Sequence, residues 1–177
     1  MAVLARQEDN QPEQIWKYVP MLGRTVMLPP ATGFAPLFDS DFTFADLGFM
    51  DLTDNYSYLG EATLGNTPTY KIQESPPRNP YYSKIIAWIR KSDYLPLRRE
   101  FYNYAGPLVQ IEDYGGIQNI DGIPTVTHIK MTLESSGNST QFAFSHIQYN
   151  RKPPASLFDP DQLRNLAKQP FWSEAER

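Results

Sequence analysis

From residue 82 to residue 149 the sequence divides into five strand-length segments, 82–90, 97–104, 108–113, 125–134 and 140–149, set apart by turn signals. The separators are Lys91-Ser92-Asp93, Ala105-Gly106-Pro107, the stretch from Gly115-Gly116 to Gly122, and Ser135-Ser136-Gly137-Asn138. A parallel crossover needs a dozen or more residues, so strands on links this tight pair as antiparallel neighbours. That single constraint removes the alternating strand-helix folds and leaves a meander.

The meander extends upstream. Segments 56–64 and 67–73 flank Gly65-Asn66, a two-residue turn in which both residues tolerate positive φ. Two shorter strands are expected earlier, over 15–20 and 24–28, each stopped by proline. The link Ser75-Pro76-Pro77-Arg78-Asn79-Pro80 has too few N–H donors to sit inside a sheet. Eleven Tyr, ten Phe and three Trp agree with strands, where aromatic side chains pack well. Two pieces read as helix: a short turn over 39–47 capped by Asp39 or Ser40, with Phe42 and Leu47 on its buried side, and a terminal helix starting at Asp159-Pro160, with Leu163, Leu166 and Ala167 on one face. The expectation is a mostly β protein of α+β type, a curved antiparallel sheet or incomplete β-barrel with a short covering helix and a C-terminal helix. Residues 1–14 read as a flexible polar arm and 15–177 as a single domain.

Side chains alternate across a strand, which splits each segment into two sets. Ile85, Ala87 and Ile89 oppose Lys84, Ile86, Trp88 and Arg90, and Leu97 and Phe101 oppose Arg98 and Glu100, with Arg99 breaking the pattern on the Leu97 side. Val109 and Ile111 oppose Gln110 and Glu112; Ile129, Met131 and Leu133 oppose His128, Lys130, Thr132 and Glu134; Phe142 and Phe144 follow. One oily face and one wet face are expected. Either the helices plug the oily face as an ordinary core, or they cover it in part and leave a cavity for acyl chains; the pattern leaves both open. In the second case Ile85, Ile89, Leu97, Phe101, Val109, Ile111, Ile129, Met131, Phe142 and Phe144 line the hollow, and Phe42, Phe44 and Leu47 form its lid.

Charge and composition exclude several other classes. The net charge is −4 and Lys and Arg are dispersed, so no basic surface for nucleic acid is expected. Without cysteine there is neither disulfide nor thiolate. No run approaches the roughly 18–20 apolar residues of a membrane-spanning helix, and Met1-Ala2-Val3-Leu4-Ala5-Arg6 is too short for a secretory signal. His128 and His146 lack the third ligand a metal site needs. Ser145 and His146, as neighbours on a strand, are expected on opposite faces. No catalytic residue, metal or cofactor is expected.

An ordered set of segments resembles the outer-membrane lipoprotein-sorting protein family, related to the LolA and LolB carriers. The set is Trp16-Lys17-Tyr18-Val19-Pro20, Ser40-Asp41-Phe42-Thr43-Phe44-Ala45-Asp46-Leu47, Tyr82-Ser83-Lys84-Ile85-Ile86-Ala87-Trp88-Ile89, Leu95-Pro96-Leu97-Arg98-Arg99-Glu100-Phe101-Tyr102, Gly122-Ile123-Pro124-Thr125 and Leu157-Phe158-Asp159. The resemblance implies a half-barrel with an apolar cavity under covering helices, a periplasmic location, and transport of lipid or lipoprotein acyl chains without covalent chemistry, with an envelope transport protein as a further partner. Two positions depart from the family, which usually has tyrosine at Phe44 and an acidic residue at Ala45. Family members also carry further strands before the Trp16 segment, so the chain reads as a shortened member with an exposed sheet edge open to self-association. The alternative is a non-catalytic envelope interaction module with a solid core.

Overall fold

Twelve strands and four 3-10 helical segments make up the regular structure of the computed structural model, which describes residues 2–7, 13–48 and 55–168. The strands are β1 (Ala2–Arg6), β2 (Gln14–Val19), β3 (Arg24–Leu28), β4 (Asn55–Leu64), β5 (Thr67–Ser75), β6 (Tyr82–Arg90), β7 (Pro96–Asn103), β8 (Leu108–Gly115), β9 (Gln118–Ile120), β10 (Ile123–Thr125), β11 (His128–Leu133) and β12 (Ser139–Ala143). Contacts gather into two compact units, one within Met1–Ala35, Thr43–Asp51 and Gln148–Arg177, the other within Pro36–Phe42 and Leu52–Ile147.

The first unit holds the antiparallel sheet β1-β2-β3. Residues 2–6 were expected in a flexible arm. They form β1 instead, because pairing Leu4 with Trp16 and Ala5 with Ile15 satisfies their backbone groups and buries Leu4 and Ile15; residues 8–12 of that arm lie outside the described residues. The 3-10 helix Pro160–Lys168 contacts all three strands and buries Leu163. The expected terminal helix is therefore present in 3-10 form; the side chain of Ala167 lies outside the described residues.

The expected short helix over 39–47 is absent. Phe38 and Asp39 have φ of 53° and 57°, left-handed values that stop a helix from starting there. Asp46 organises the turn instead: its carboxylate accepts the backbone N–H and the hydroxyl of Thr43, both at 2.8 Å.

The second unit is an open seven-stranded antiparallel sheet in the order β12-β11-β8-β7-β6-β5-β4. This is the mostly β, unclosed architecture with little helix that the turn spacing demands. The glycine-rich stretch read as a plain separator contains β9 and the turn that joins it to β10, so a short hairpin begins there. At its root Gly116 has φ of 60°, and a β-carbon there would land on the His128 ring and the Thr127 hydroxyl, so only glycine fits.

Register settles which side chains share a face. One row runs Ile72, Ala87, Arg99, Glu112, Met131 and Thr140, and the next Glu74, Ile85, Phe101, Gln110 and Leu133. The opposite face carries Gln73, Ile86, Glu100, Ile111, Thr132 and Ser139. β6 is buried on both faces, since Ile86 and Trp88 are buried as well as Ile85 and Ala87. Trp88 stands directly opposite Lys71 and Arg98, and the Lys71 ammonium lies 4.7 Å from its ring centroid.

Candidate functional site

The inner face of the seven-stranded sheet is where the sequence places the candidate hollow. Ile85, Phe101, Ile129 and Met131 are buried there, and Phe101 and Met131 are fully covered. Phe142 is directly opposite Ile129 and joins them. Ile89 and Leu97 are half-buried beyond a bulge between Trp88 and Ile89.

Three of the candidate lining residues are placed differently. Ile111 pairs with Glu100 and Thr132 on the outer face, and Val109, half-buried, sits at the irregularity between β7 and β8 and alternates with the inward Gln110. Their apolar character suggested an inward position, but the register sends Gln110 and Glu112 inward instead. Phe144 lies beyond the end of β12 and is 46% exposed, with its N–H donated to the Thr127 carbonyl at 2.8 Å.

The inner face is therefore not uniformly oily. Arg99 donates to Glu74 at 2.9 Å and to Glu112 at 3.2 Å, and the Tyr114 hydroxyl donates to Glu112 at 2.7 Å. Glu112 is 1% exposed. The Arg99 guanidinium also lies 5.1 Å from the Phe101 ring centroid. Burial disfavours the Arg99 cation, but Tyr114, Glu74 and Glu112 more than offset this and raise its pKa well above that of a free guanidinium. One clue to the cluster was readable: Arg99 broke the alternation of its strand, and a cation on a covered face needs a carboxylate there.

Beside the cluster residues 36–42 pack against the inner face at β8 and β12. Phe42 is fully buried, with its ring 5.0 Å from that of Phe142. The Thr140 hydroxyl donates to the Asp41 carboxylate at 2.6 Å, and Gln110 Nε2 donates to the Asp41 carbonyl at 3.4 Å. The Tyr82 hydroxyl reaches Gln110 in turn, and the Tyr82 and Phe101 rings are 4.8 Å apart. The three candidate lid residues do not form one piece. Phe42 belongs to the sheet unit, whereas Phe44 and Leu47 fall in the other, in a turn tied to it by the Ala45 N–H donating to the Gly33 carbonyl at 2.9 Å.

The two histidines stay apart in role. His128 Nδ1 lies 2.9 Å from the Thr127 hydroxyl at the hairpin root. Ser145 and His146, expected on opposite faces of a strand, do meet: β12 ends at Ala143, before either residue, and His146, with φ of 55°, has Nδ1 3.2 Å from Ser145 Oγ at an exposed position. Among the described residues no group of three His, Cys, Asp or Glu could hold a metal ion, and no helix is long and apolar enough to cross a membrane.

Two tyrosines give the cluster and its neighbour a pH signature. Burial, then Glu100, push Tyr102 up to about 12, and burial, then Glu112, raise Tyr114 further. Both stay protonated in the folded chain above pH 10, where unfolded tyrosines ionise, so the stability they contribute is complete below about pH 10 and is lost as pH rises towards about 12. Thermal unfolding followed across that window should show a falling Tm, with Tyr114→Phe flattening part of the slope. An unchanged Tm up to pH 12 would contradict the raised pKa of both phenols.

This geometry, an open antiparallel sheet with a covered inner face, is the LolA-like class of fold. Among solved structures the chain is similar to a candidate outer membrane lipoprotein-sorting protein domain from Vibrio parahaemolyticus, at 22% identity and a TM-score of 0.80 over 92% of this chain and 70% of that one. It is similar also to a DUF1329 family protein from Desulfovibrio piger, at 24% identity and a TM-score of 0.79 over 91% of this chain and 69% of that one. A LolA superfamily protein from Nitrosomonas europaea has a TM-score of 0.59 at 19% identity, over 82% of this chain and 66% of that one. No curated protein matches the chain. A family model with the description "Uncharacterized protein" matches residues 1–165, and the chain belongs to that family.

Proposed function

We propose that the chain is a non-catalytic periplasmic carrier that holds the acyl chains of a lipid or lipoprotein against the inner face of its seven-stranded sheet, in outer-membrane lipoprotein sorting, and passes them to an envelope transport protein. The observation that carries this reading is the packing of residues 36–42, a segment without helix or strand, against the inner face at β8 and β12. The segment is fixed to the sheet by the Phe42–Phe142 contact and the polar contacts of Asp41. Irregular segments with few anchors open at low free-energy cost. Opening would expose Ile129, Met131 and Phe142, and covering them with an acyl chain would be favourable at roughly 25 cal/mol per Å² removed from water. The similarity to lipoprotein-sorting and LolA superfamily structures supports the same reading through the fold.

A second reading has its own observation. The Arg99–Glu74–Glu112 cluster and the fully buried Phe42, Phe101 and Met131 suit a solid core. The chain would then be an envelope interaction module that binds, or self-associates, through edge strand β4, where Tyr56, Tyr58 and Leu59 are exposed. Delipidated protein titrated with a fluorescent fatty acid and with a lipopeptide separates the two. The carrier reading expects saturable uptake near one equivalent, and native mass spectrometry of gently purified material should show the matching excess mass. Uptake of neither ligand leaves the module.

A further inference from the structure

The most exposed large apolar side chain among the described residues is at the tip of the β2-β3 hairpin, in the first compact unit. Met21 is 97% exposed and Leu22 59% exposed. They sit on a single 3-10 turn, Pro20–Leu22, that buries none of its residues. The turn is firmly built. Proline fixes its start, Gly23 closes it with φ of 61° and donates its N–H to the Pro20 carbonyl at 3.1 Å, and Val19 pairs with Arg24 immediately below. A rigid turn that holds two aliphatic side chains in water keeps a solvation penalty that folding did not remove, so the tip is presented and not merely loose.

Charge identifies what the tip meets. From Gln14 to Phe38 the sequence contains Lys17 and Arg24 and no acidic residue, although the whole chain has a net charge of −4. Both cations are on the strands that carry the tip, and Arg24 lies one residue beyond Gly23. Apolar residues at an apex with cations just behind them match the layering of a bilayer surface, in which acyl chains lie beneath anionic phosphates. We infer that the β2-β3 hairpin docks the protein on an anionic lipid surface, with Met21 and Leu22 entering the headgroup region and Lys17 and Arg24 facing the phosphates. The inference stands apart from the carrier reading, since it concerns the other compact unit and needs no cargo.

Flotation of the intact protein with phosphatidylcholine vesicles, with and without phosphatidylglycerol, tests it. Binding should require the anionic lipid and weaken in high salt. Met21→Asp with Leu22→Asp should reduce binding at least about tenfold, and Arg24→Glu should reduce it severalfold, because insertion and surface charge act together. Both sites are exposed, so the variants should keep the parent's Tm, and Met21→Ser with Leu22→Ser is a milder check on folding. Equal binding by parent and double variant, or no binding to anionic vesicles, overturns the inference. So does a dimer that the double variant dissolves in the absence of vesicles, which would make the tip a contact between two copies of the chain.

Discussion

Replacing Arg99 with methionine should lower the unfolding free energy by about 3–5 kcal/mol, the cost typical of breaking a buried ion pair from one side. Methionine fills much of the volume of the arginine stem, so lost packing accounts for little of this. The loss arises at Glu112, which is 1% exposed and loses the cation directly across from it in the β7-β8 register. Glu74 loses its 2.9 Å partner at the same time. For a chain of this length the fall in Tm is on the order of 10 °C. Adding Glu112→Gln should recover more than half of it, because the amide is neutral and its oxygen still accepts from the Tyr114 hydroxyl. Urea unfolding of the two variants checks the account, and a single Arg99→Met within about 1 kcal/mol of the parent would sink it.

The cluster also marks where the sequence stopped being legible. The strand order was readable because turn chemistry punctuates it: Gly65-Asn66, Ala105-Gly106-Pro107 and Ser136-Gly137-Asn138 all lie between antiparallel neighbours. The faces of β8 were not readable. Alternation divides that strand into Val109 with Ile111 and Gln110 with Glu112, but it does not say which pair turns inward. Pairing decides, since Phe101 stands opposite Gln110 and Arg99 opposite Glu112. Apolar-inward reasoning failed there because a carboxylate facing a buried guanidinium is stable inside, whereas Ile111 loses little on the half-buried outer face.

Two further misses share a cause. β1 is five residues long, and only its partner gives it a reason to be a strand, through Leu4 against Trp16. The β9-β10 hairpin lies in a stretch dense in glycine, and its three-residue strands are shorter than any hydrophobic period can reveal. The short helix over 39–47 was overread for a different reason. Asp39 and Ser40 looked like helix caps, yet capping needs helical dihedrals after the cap, and left-handed φ at Phe38 and Asp39 turns the chain elsewhere. Of the three lid candidates, Phe42 lies in the sheet unit, with its ring against Phe142, and Phe44 and Leu47 lie in the other.

Phe42→Ala should therefore be the most informative change on the inner face, with an expected cost of about 3–5 kcal/mol for emptying a fully buried aromatic site. Phe42→Leu keeps most of the volume and should cost less than about 1.5 kcal/mol. The two readings of function diverge on where that loss appears. If residues 36–42 form an opening cover, hydrogen exchange should quicken in that segment well before the β6-β7 amides respond, and bound fatty acid should leave Phe42→Ala faster than the parent. If Phe42 belongs to a solid core, exchange should rise across the whole sheet in step with the lost global stability. A Phe42→Ala protein within about 1 kcal/mol of the parent would contradict both, because neither a cover nor a core can lose a buried ring at its contact with Phe142 without cost.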